Sequence, residues 1–228
     1  DMTLTQCCKK ILLLIATTVI SYSSFANEEL FKEARALQKE GQSSEAIEAF
    51  KRYLLQPVKG DLTVERIVRY TDALVQLMNT YQSKGEPEAC ITTLQEIYNS
   101  SPVLQKQCLR DYYSVLGYAL SRTEKMNQAE QTMLKVFTIP LHHPTPQRYF
   151  RDYAYAAAVF YSNTNYQEQV IEWCQEALLQ AEQAKNVSGK QWVTAMLGSI
   201  YKRNGDINKA LTLFQQSKEE SKARKDDL

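Results

Sequence analysis

The two histidines, His142 and His143, are the side chains of this sequence best suited to binding a metal or transferring protons. They are adjacent on a proline-rich connection, and the residues around them do not offer the further ligands that a metal site needs. The sequence contains no H-E-x-x-H pair, no G-x-S-x-G nucleophile turn and no glycine-rich phosphate loop. We therefore expect no catalytic residue, no metal site and no cofactor, and an enzyme is the least favoured interpretation.

The carboxylates and thiols also indicate structure rather than chemistry. Asp and Glu are numerous, but they alternate with Lys and Arg, which is typical of solvated helix faces. Cys90, Cys108 and Cys174 contain no C-x-x-C pair, so neither a zinc cluster nor a disulfide framework is expected. The simplest interpretation is that the three thiols pack as small apolar groups, although a Cys90–Cys108 bond stays open.

The overall composition is that of a soluble, mostly helical protein. Of the 228 residues, 44% are hydrophobic and 23% are charged, and only seven Gly and six Pro interrupt them. The net charge is +1 and no long basic block occurs, whereas binding to a phosphate backbone needs a concentrated Lys/Arg face. We therefore expect no nucleic-acid partner.

The first 26 residues have the order of a secretory signal peptide. Lys9 and Lys10 precede an apolar run at residues 11–20, and a short polar stretch then ends in small residues at Ser24 and Ala26. A ten-residue apolar run is too short to span a bilayer, although the polar stretch could extend it. A buried core helix fits poorly because no polar stripe runs along the segment. The pattern predicts export, to the periplasm or an equivalent compartment, with membrane attachment only if the segment is not cleaved.

A period near forty residues organises everything after residue 26. Residues 197–214 read "LGSIYKRNGDINKALTLF", and residues 116–133 read "LGYALSRTEKMNQAEQTM", with Leu-Gly at the start and an alanine twelve residues after the glycine. Such self-similarity indicates a repeat array. A small residue of each second half recurs at intervals of 44, 39, 41 and 40 residues, at Ala46, Cys90, Ala129, Val170 and Ala210.

Each unit contains two helical periodicities joined by a short turn. Gly41, Gly85 and Gly205 fall in that turn, where a left-handed residue ends the first helix, and Glu124 and Asn165 take their place in the other two units. Gly117 and Gly198 instead lie inside first helices, where glycine costs about 1 kcal/mol against alanine. We expect their missing side chains to allow close approach of the paired helix, which offsets that cost. Pro87 falls in the first turn of a second helix, and the other prolines fall between units.

These units resemble the tetratricopeptide repeat, whose hallmark is L-G-x-x-Y followed by A-x-x-x-F. The last unit shows this as Leu197, Gly198, Tyr201, Ala210 and Phe214. The resemblance implies an all-α fold, an α-α superhelix of about five helix-turn-helix repeats. We place the repeats at residues 27–60, 61–105, 106–144, 145–188 and 189–228, each close to or longer than the 34 residues typical of the family.

The resemblance also implies a concave groove lined by the first helices, which would bind a protein or peptide. The clamp with which some members hold a terminal carboxylate is not supported, because Asn79 matches one of its elements but the lysine one turn earlier is Val75. Several aromatic candidates could equally pack between repeats. The predicted groove residues are Phe31, Arg35, Val75, Asn79, Tyr118, Arg122, Tyr155, Val159, Trp192 and Arg203, with Ser114 and Ser199 beside them.

Long repeats of this kind resemble exported segments of bacterial sensor kinases and regulators. The chain ends in "KEESKARKDDL" without the polar capping helix that usually closes an array, so the end is either a solvated terminus or, as we favour, a point inside a longer protein. We therefore expect a non-catalytic binding scaffold that forms the sensing or interaction part of an envelope signalling protein. The alternative is a structural or assembly protein of the envelope.

Overall fold

The computed structural model describes residues 28–58 and 60–226, the last six of them by their backbone alone. The predicted signal peptide, residues 1–26, lies outside these ranges. Within them the chain is helical and has no β-strand, as the sequence predicts. The first helix, α1, covers residues 28–39. The others are α2 (Ser43–Leu54), α3 (Val64–Lys84), α4 (Pro87–Ser100), α5 (Pro102–Gln107), α6 (Leu109–Leu120), α7 (Met126–Val136), α8 (Pro146–Val159), α9 (Gln167–Gln183), α10 (Val187–Arg203) and α11 (Ile207–Asp226).

Three first helices end in the glycine turn that the sequence predicts. Gly41, Gly85 and Gly205 have φ angles of +76°, +72° and +82°, in the left-handed region that favours glycine. In the second unit, Gly85 donates its N–H to the carbonyl of Gln82, and the next residue bonds back to Tyr81, each at 3.0 Å. This pair of bonds satisfies carbonyls that a helix end would otherwise leave unpaired.

The turns of the third and fourth units are built differently, which corrects one expectation. Neither Glu124 nor Asn165 has a positive φ angle. Side chains support these turns instead: Thr123 Oγ1 accepts from the backbone of Lys125 at 3.2 Å, and Asn163 Oδ1 accepts from the backbone of Asn165 at 3.1 Å. A side-chain acceptor two residues before the donor makes a left-handed residue unnecessary.

Two predicted repeat limits fall inside helices. The limit at residue 105 lies within α5, a short helix that begins at Pro102 and has Ser101 as its N-cap. The limit at residue 188 lies within α10, because Asn186 Oδ1 accepts from the backbone of Gly189 at 2.8 Å and starts the helix earlier. Pro87 occupies the first turn of α4 as expected, where its missing N–H leaves no bond unmade.

The helices of a pair meet at the glycines that the sequence singled out. A Cβ atom added to Gly117 would lie 3.1 Å from Met133 Cε and 3.3 Å from the backbone nitrogen of the same residue. One added to Gly198 would lie 2.8 Å from Cε1 of Phe214. The opposing small side chain, Ala129, is fully buried. The expectation that glycine permits close approach is confirmed at both positions.

A continuous apolar core runs through the units, from Ala34 in α1 to Ile200 in α10. Cys90, Cys108 and Cys174 are free thiols inside it, as their spacing suggests, and desolvation raises the pKa of each to about 12. They pack as apolar groups and are unreactive at neutral pH. Among the helices of residues 28–58 and 60–226, none is long and apolar enough to cross a bilayer.

We expect Gly198→Ala to lower the free energy of unfolding by about 1–2 kcal/mol, because the new methyl group must displace the Phe214 ring. In an open helix the same change would stabilise the protein by about 1 kcal/mol. Urea titration of Gly198→Ala, Phe214→Leu and the double variant measures this. A double variant less destabilised than the sum of the singles assigns the loss to the clash. A single variant more stable than the parent would contradict it.

Candidate functional site

The first helices of all five units line one hollow of about 560 Å³, which we call the groove. Phe31 of α1 and Trp192 of α10 both face it, so the array curves until its first and last units share one surface. Its other lining residues are Val68, Arg69, Asp72, Val75, Asn79, Gln82, Tyr118, Gln147, Arg148, Phe150, Arg151, Tyr155, Ser188 and Gly189.

Three aromatic rings form the apolar part of the groove. Tyr118 and Tyr155 stack with centroids 4.3 Å apart and ring planes at 11°, and Trp192 meets both edge-on at 6.1 and 6.3 Å. Tyr155 is 8% exposed and Trp192 is 37% exposed. Tyr155 therefore packs beneath the surface of the groove, whereas the Trp192 ring is accessible to a ligand. Burial raises the pKa of both tyrosine hydroxyls. Both hydroxyls therefore remain neutral at any physiological pH.

Helix α3 supplies the polar wall. Asp72, Val75, Asn79 and Gln82 recur at three- and four-residue steps, so they share one face of the helix. Asp72 accepts a hydrogen bond from Gln76 at 3.2 Å. The Gln82 side-chain nitrogen is buried and has no partner among the described residues. An amide donor left unpaired beside a hollow can bond a ligand without first breaking an internal bond.

Buried charges from α6 and α8 lie beside the groove, and two of them, Arg148 and Arg151, are part of its lining. Asp111 accepts from Arg148 through both carboxylate oxygens, with Nε–Oδ1 at 2.9 Å, and from Arg151 Nη1 at 3.2 Å. Beside them, Arg110 donates its Nε–H to Asp152 Oδ2 at 2.7 Å. We call these five side chains the ionic cluster. Asp111, Asp152 and Arg148 are each 1% exposed.

The ionic cluster also organises the connection before α8. Arg148 donates through Nη1 to the carbonyls of His142 and His143, the latter at 2.8 Å. His143 has a φ angle of +53°, and its backbone is held in that conformation by this bond. Desolvation raises the pKa of Asp152 to about 6, and the Arg110 charge opposes that shift. The two histidines thus contribute carbonyls to the structure, while their imidazole rings remain in solvent.

Six of the ten predicted residues line the groove: Phe31, Val75, Asn79, Tyr118, Tyr155 and Trp192. Arg122 and Val159 lie in an adjoining hollow of about 440 Å³ that shares Tyr118 and Trp192 with the groove and includes Ser199.

The structure does not bring Arg35 or Arg203 to either hollow. Arg35 bonds Gln38 at 3.1 Å, and Arg203 bonds the carbonyl of Tyr161 at 2.8 Å and lies over its ring. Ser114 is fully buried and its hydroxyl has no partner among the described residues, so it is part of the interior.

The sequence did not predict the ionic cluster, because its carboxylates were assigned to solvated helix faces. A signal was present: Asp111 lies four residues before Val115, and Arg148 and Arg151 precede Tyr155 by seven and four. These are positions of the buried face of an amphipathic helix. Within the described ranges no group of three His, Cys, Asp or Glu side chains is arranged to hold a metal ion.

Comparison with known proteins agrees with this geometry. The family model described as tetratricopeptide repeat matches residues 195–223, which form most of the last helix pair. No curated protein sequence matches the chain. The protein folds as a tetratricopeptide-repeat array.

Several solved structures share the fold of this tetratricopeptide-repeat array. BtubC (BKLC) from P. vanneervenii is 18% identical, with 95% of this chain and 87% of that chain aligned and a TM-score of 0.63. The nearly identical TPR-like repeats of a Podosopora anserina putative kinesin light chain are 17% identical over 85% and 94% of the two chains, with a TM-score of 0.53. A thermophilic TPR protein in Thermus thermophilus is 16% identical over 85% and 91%, with a TM-score of 0.56. At such identities the likeness shows the architecture alone.

We expect Asp111→Asn to lower the free energy of unfolding by about 3–5 kcal/mol, because it leaves the buried guanidinium groups of Arg148 and Arg151 without their shared counter-charge. Urea denaturation followed by circular dichroism measures the change. The matched control is Glu33→Gln, which breaks an exposed ion pair with Arg52 at 3.1 Å and should cost less than about 1 kcal/mol. Equal losses in the two variants would show that the cluster contributes no more than a surface pair.

Proposed function

We propose that this chain is a non-catalytic scaffold that binds a protein or peptide segment in the groove. The observation that carries the proposal is the convergence of five first helices on one hollow that combines an aromatic surface with an unpaired amide donor. Tyr and Trp give large contact areas at low entropic cost, and amide donors suit peptide carbonyls. The fold itself favours this use, since arrays of stacked repeats bind partners on their concave surface.

The size of the groove favours a short segment. A hollow of about 560 Å³ lies within the range of about 300–1,000 Å³ that holds a compact ligand. A long extended chain would need a channel open at both ends, whereas this hollow is bounded by Phe31 of the first unit and Trp192 of the last. The ligand we propose is therefore a loop or a few consecutive residues of a partner.

We further propose that the protein is exported and serves as the sensing or interaction part of a larger envelope signalling protein. The leader-like order of residues 1–26 supports export, and the length of the repeats supports the signalling assignment. A structural or assembly role in the envelope is the second candidate. A membrane-spanning helix followed by a kinase or regulator domain in the intact gene product would favour signalling.

If the partner binds in the groove, Trp192→Ala combined with Asn79→Ala should weaken partner capture at least tenfold. The two changes remove an exposed aromatic ring and a side-chain amide from the lining of the groove. Affinity purification from an envelope extract identifies the partner, and calorimetry with that partner measures the change. The control is Leu179→Ala, which removes a comparably exposed apolar side chain (48%) from α9, outside the groove. If the folded double variant and the control capture the partner equally well, the groove is not the binding surface.

Export predicts that expression of the complete sequence in a bacterium yields a product shortened by about 26 residues in the exported fraction. Leu13→Arg, which places a charge inside the apolar run, should leave the precursor uncleaved in the cytoplasm. Mass spectrometry of the fractions measures the cleavage site. Thr3→Arg, which adds the same charge before the run, is the control and should be processed normally. An unprocessed cytoplasmic product from the unaltered sequence would refute export.

A further inference from the structure

We infer that the groove recognises a segment in which a carboxylate side chain is adjacent to an aromatic or large aliphatic one, with Arg151 binding the carboxylate and the Trp192 surface binding its neighbour. This inference rests on the proposed function, because it names the chemistry of the segment that the groove would bind. Three features of the groove support it: the charge of Arg151, the apolar surface beside that charge, and the unpaired donor of Gln82.

The ionic cluster holds one more positive charge than negative. It contains three guanidinium groups but only two carboxylates, and Asp152 is paired with Arg110. Asp111 faces both remaining guanidinium groups, and it binds Arg148 through both oxygens. Arg148 therefore makes two bonds to that carboxylate, one at each oxygen, whereas Arg151 makes a single longer bond to Oδ1.

Arg151 is the group that carries this excess toward the groove. Its bonds are Nη1 to Asp111 at 3.2 Å and a long contact from Nη2 to Thr71 Oγ1 at 3.5 Å, which leaves most of its five donors unused. Its side chain is 7% exposed, and it lines the groove. A positive charge in so enclosed a place is poorly solvated, so an incoming carboxylate would gain more there than at an exposed arginine.

Of the other charges that line the groove, only the carboxylate of Asp72 opposes this excess. Arg69 is paired with Glu65 at 3.1 Å and with Glu28 at 3.7 Å. Asp72 is the one acidic side chain in the lining, and it forms no ion pair among the described residues. Asp72 is therefore a competitor: it shares the groove with Arg151 without bonding it, and its charge should weaken the binding of a second carboxylate.

The apolar surface begins one helical turn from Arg151. Tyr155 follows it by four residues on α8, and this ring stacks on Tyr118 and meets the edge of Trp192. A ligand whose carboxylate reaches Arg151 therefore places its neighbouring side chain against these rings. Gln82 of α3 also lines the groove, and its side-chain nitrogen, which has no partner among the described residues, can donate to a backbone carbonyl of the same segment.

Four labelled hexapeptides with blocked termini test the inference. They carry, in a Gly-Ser background, the pairs Phe-Glu, Phe-Gln, Phe-Lys and Ala-Glu, each as a mixture of both orders. Fluorescence anisotropy with the full chain should show that Phe-Glu binds about tenfold more tightly than Phe-Gln, as one charge-assisted bond implies. Ala-Glu and Phe-Lys should both bind more weakly than Phe-Glu. Because only the peptides change, these comparisons do not depend on the folding of a variant.

A protein variant tests the inference independently, because it should tighten peptide binding instead of weakening it. Asp72→Asn should tighten the binding of Phe-Glu by about three- to tenfold and leave that of Phe-Gln unchanged, since it removes the competing charge but keeps an Oδ1 that can accept the Gln76 bond. The matched control is Asp206→Asn in the turn before α11, outside the groove, which should change neither. Trp192→Ala should weaken Phe-Glu and Phe-Gln alike.

Three outcomes would overturn the inference. If Phe-Lys binds most tightly and Asp72→Asn weakens it, the groove selects a cation through Asp72. If Phe-Glu and Phe-Gln bind equally and both depend on Trp192, the groove binds peptides but does not select a carboxylate, so the proposed function stands without the inference. If no peptide binds at about 1 mM, which corresponds to roughly 4 kcal/mol of binding free energy, the inference fails for short segments. Capture of the partner from an envelope extract then decides the proposed function separately.

Discussion

No helix pair of this chain can bury its apolar surface alone, and the rest of the structure depends on that constraint. Each pair is stable only against its neighbours, so the core continues from α1 to α10 instead of forming separate centres. Side-chain hydrogen bonds also join neighbouring units. Gln38 of the first unit bonds Thr80 of the second at 2.9 Å, and Asn163 of the fourth bonds Glu130 of the third at 2.9 Å. The stacking of units therefore fixes both the core and the angle between neighbouring pairs.

The ionic cluster is the polar counterpart of this stacking at the centre of the array. It joins α6 to α8, the first helices of the third and fourth units, across an interface that could have been apolar. Buried ion pairs add little net stability compared with apolar packing, but breaking one is costly. Charges that must face each other allow fewer relative positions than apolar side chains do. We interpret the cluster as a device that sets the angle between these two units.

Much of the architecture could be predicted from the sequence because it depends on local spacing. Helix periodicity, the glycine turns at Gly41, Gly85 and Gly205 and the close approach at Gly117 and Gly198 are each encoded within one unit. The features that could not be predicted are of two kinds. The first kind is local: side-chain hydrogen bonds take the place of the expected left-handed turns at residues 124 and 165, and the short helix α5 forms in a connection between units.

The second kind concerns contacts between units. An aspartate at a buried helical position looks like a surface carboxylate until its partner is known, and the partner of Asp111 lies 37 residues away in the next unit. Register identifies the helix face, but the curvature of the whole array decides which part of that face reaches the groove.

That curvature gives the groove a property that no single unit has. Phe31 and Trp192 belong to the first and last units, yet they line one hollow, so a ligand seated there touches helices from the whole array. Small rotations between successive units add along an array, so the width of the groove depends on all of them. Arg151 belongs both to the ionic cluster between α6 and α8 and to the lining, so one side chain takes part in that interface and supplies charge to the groove. A ligand that binds Arg151 would therefore directly contact the interface between the third and fourth units.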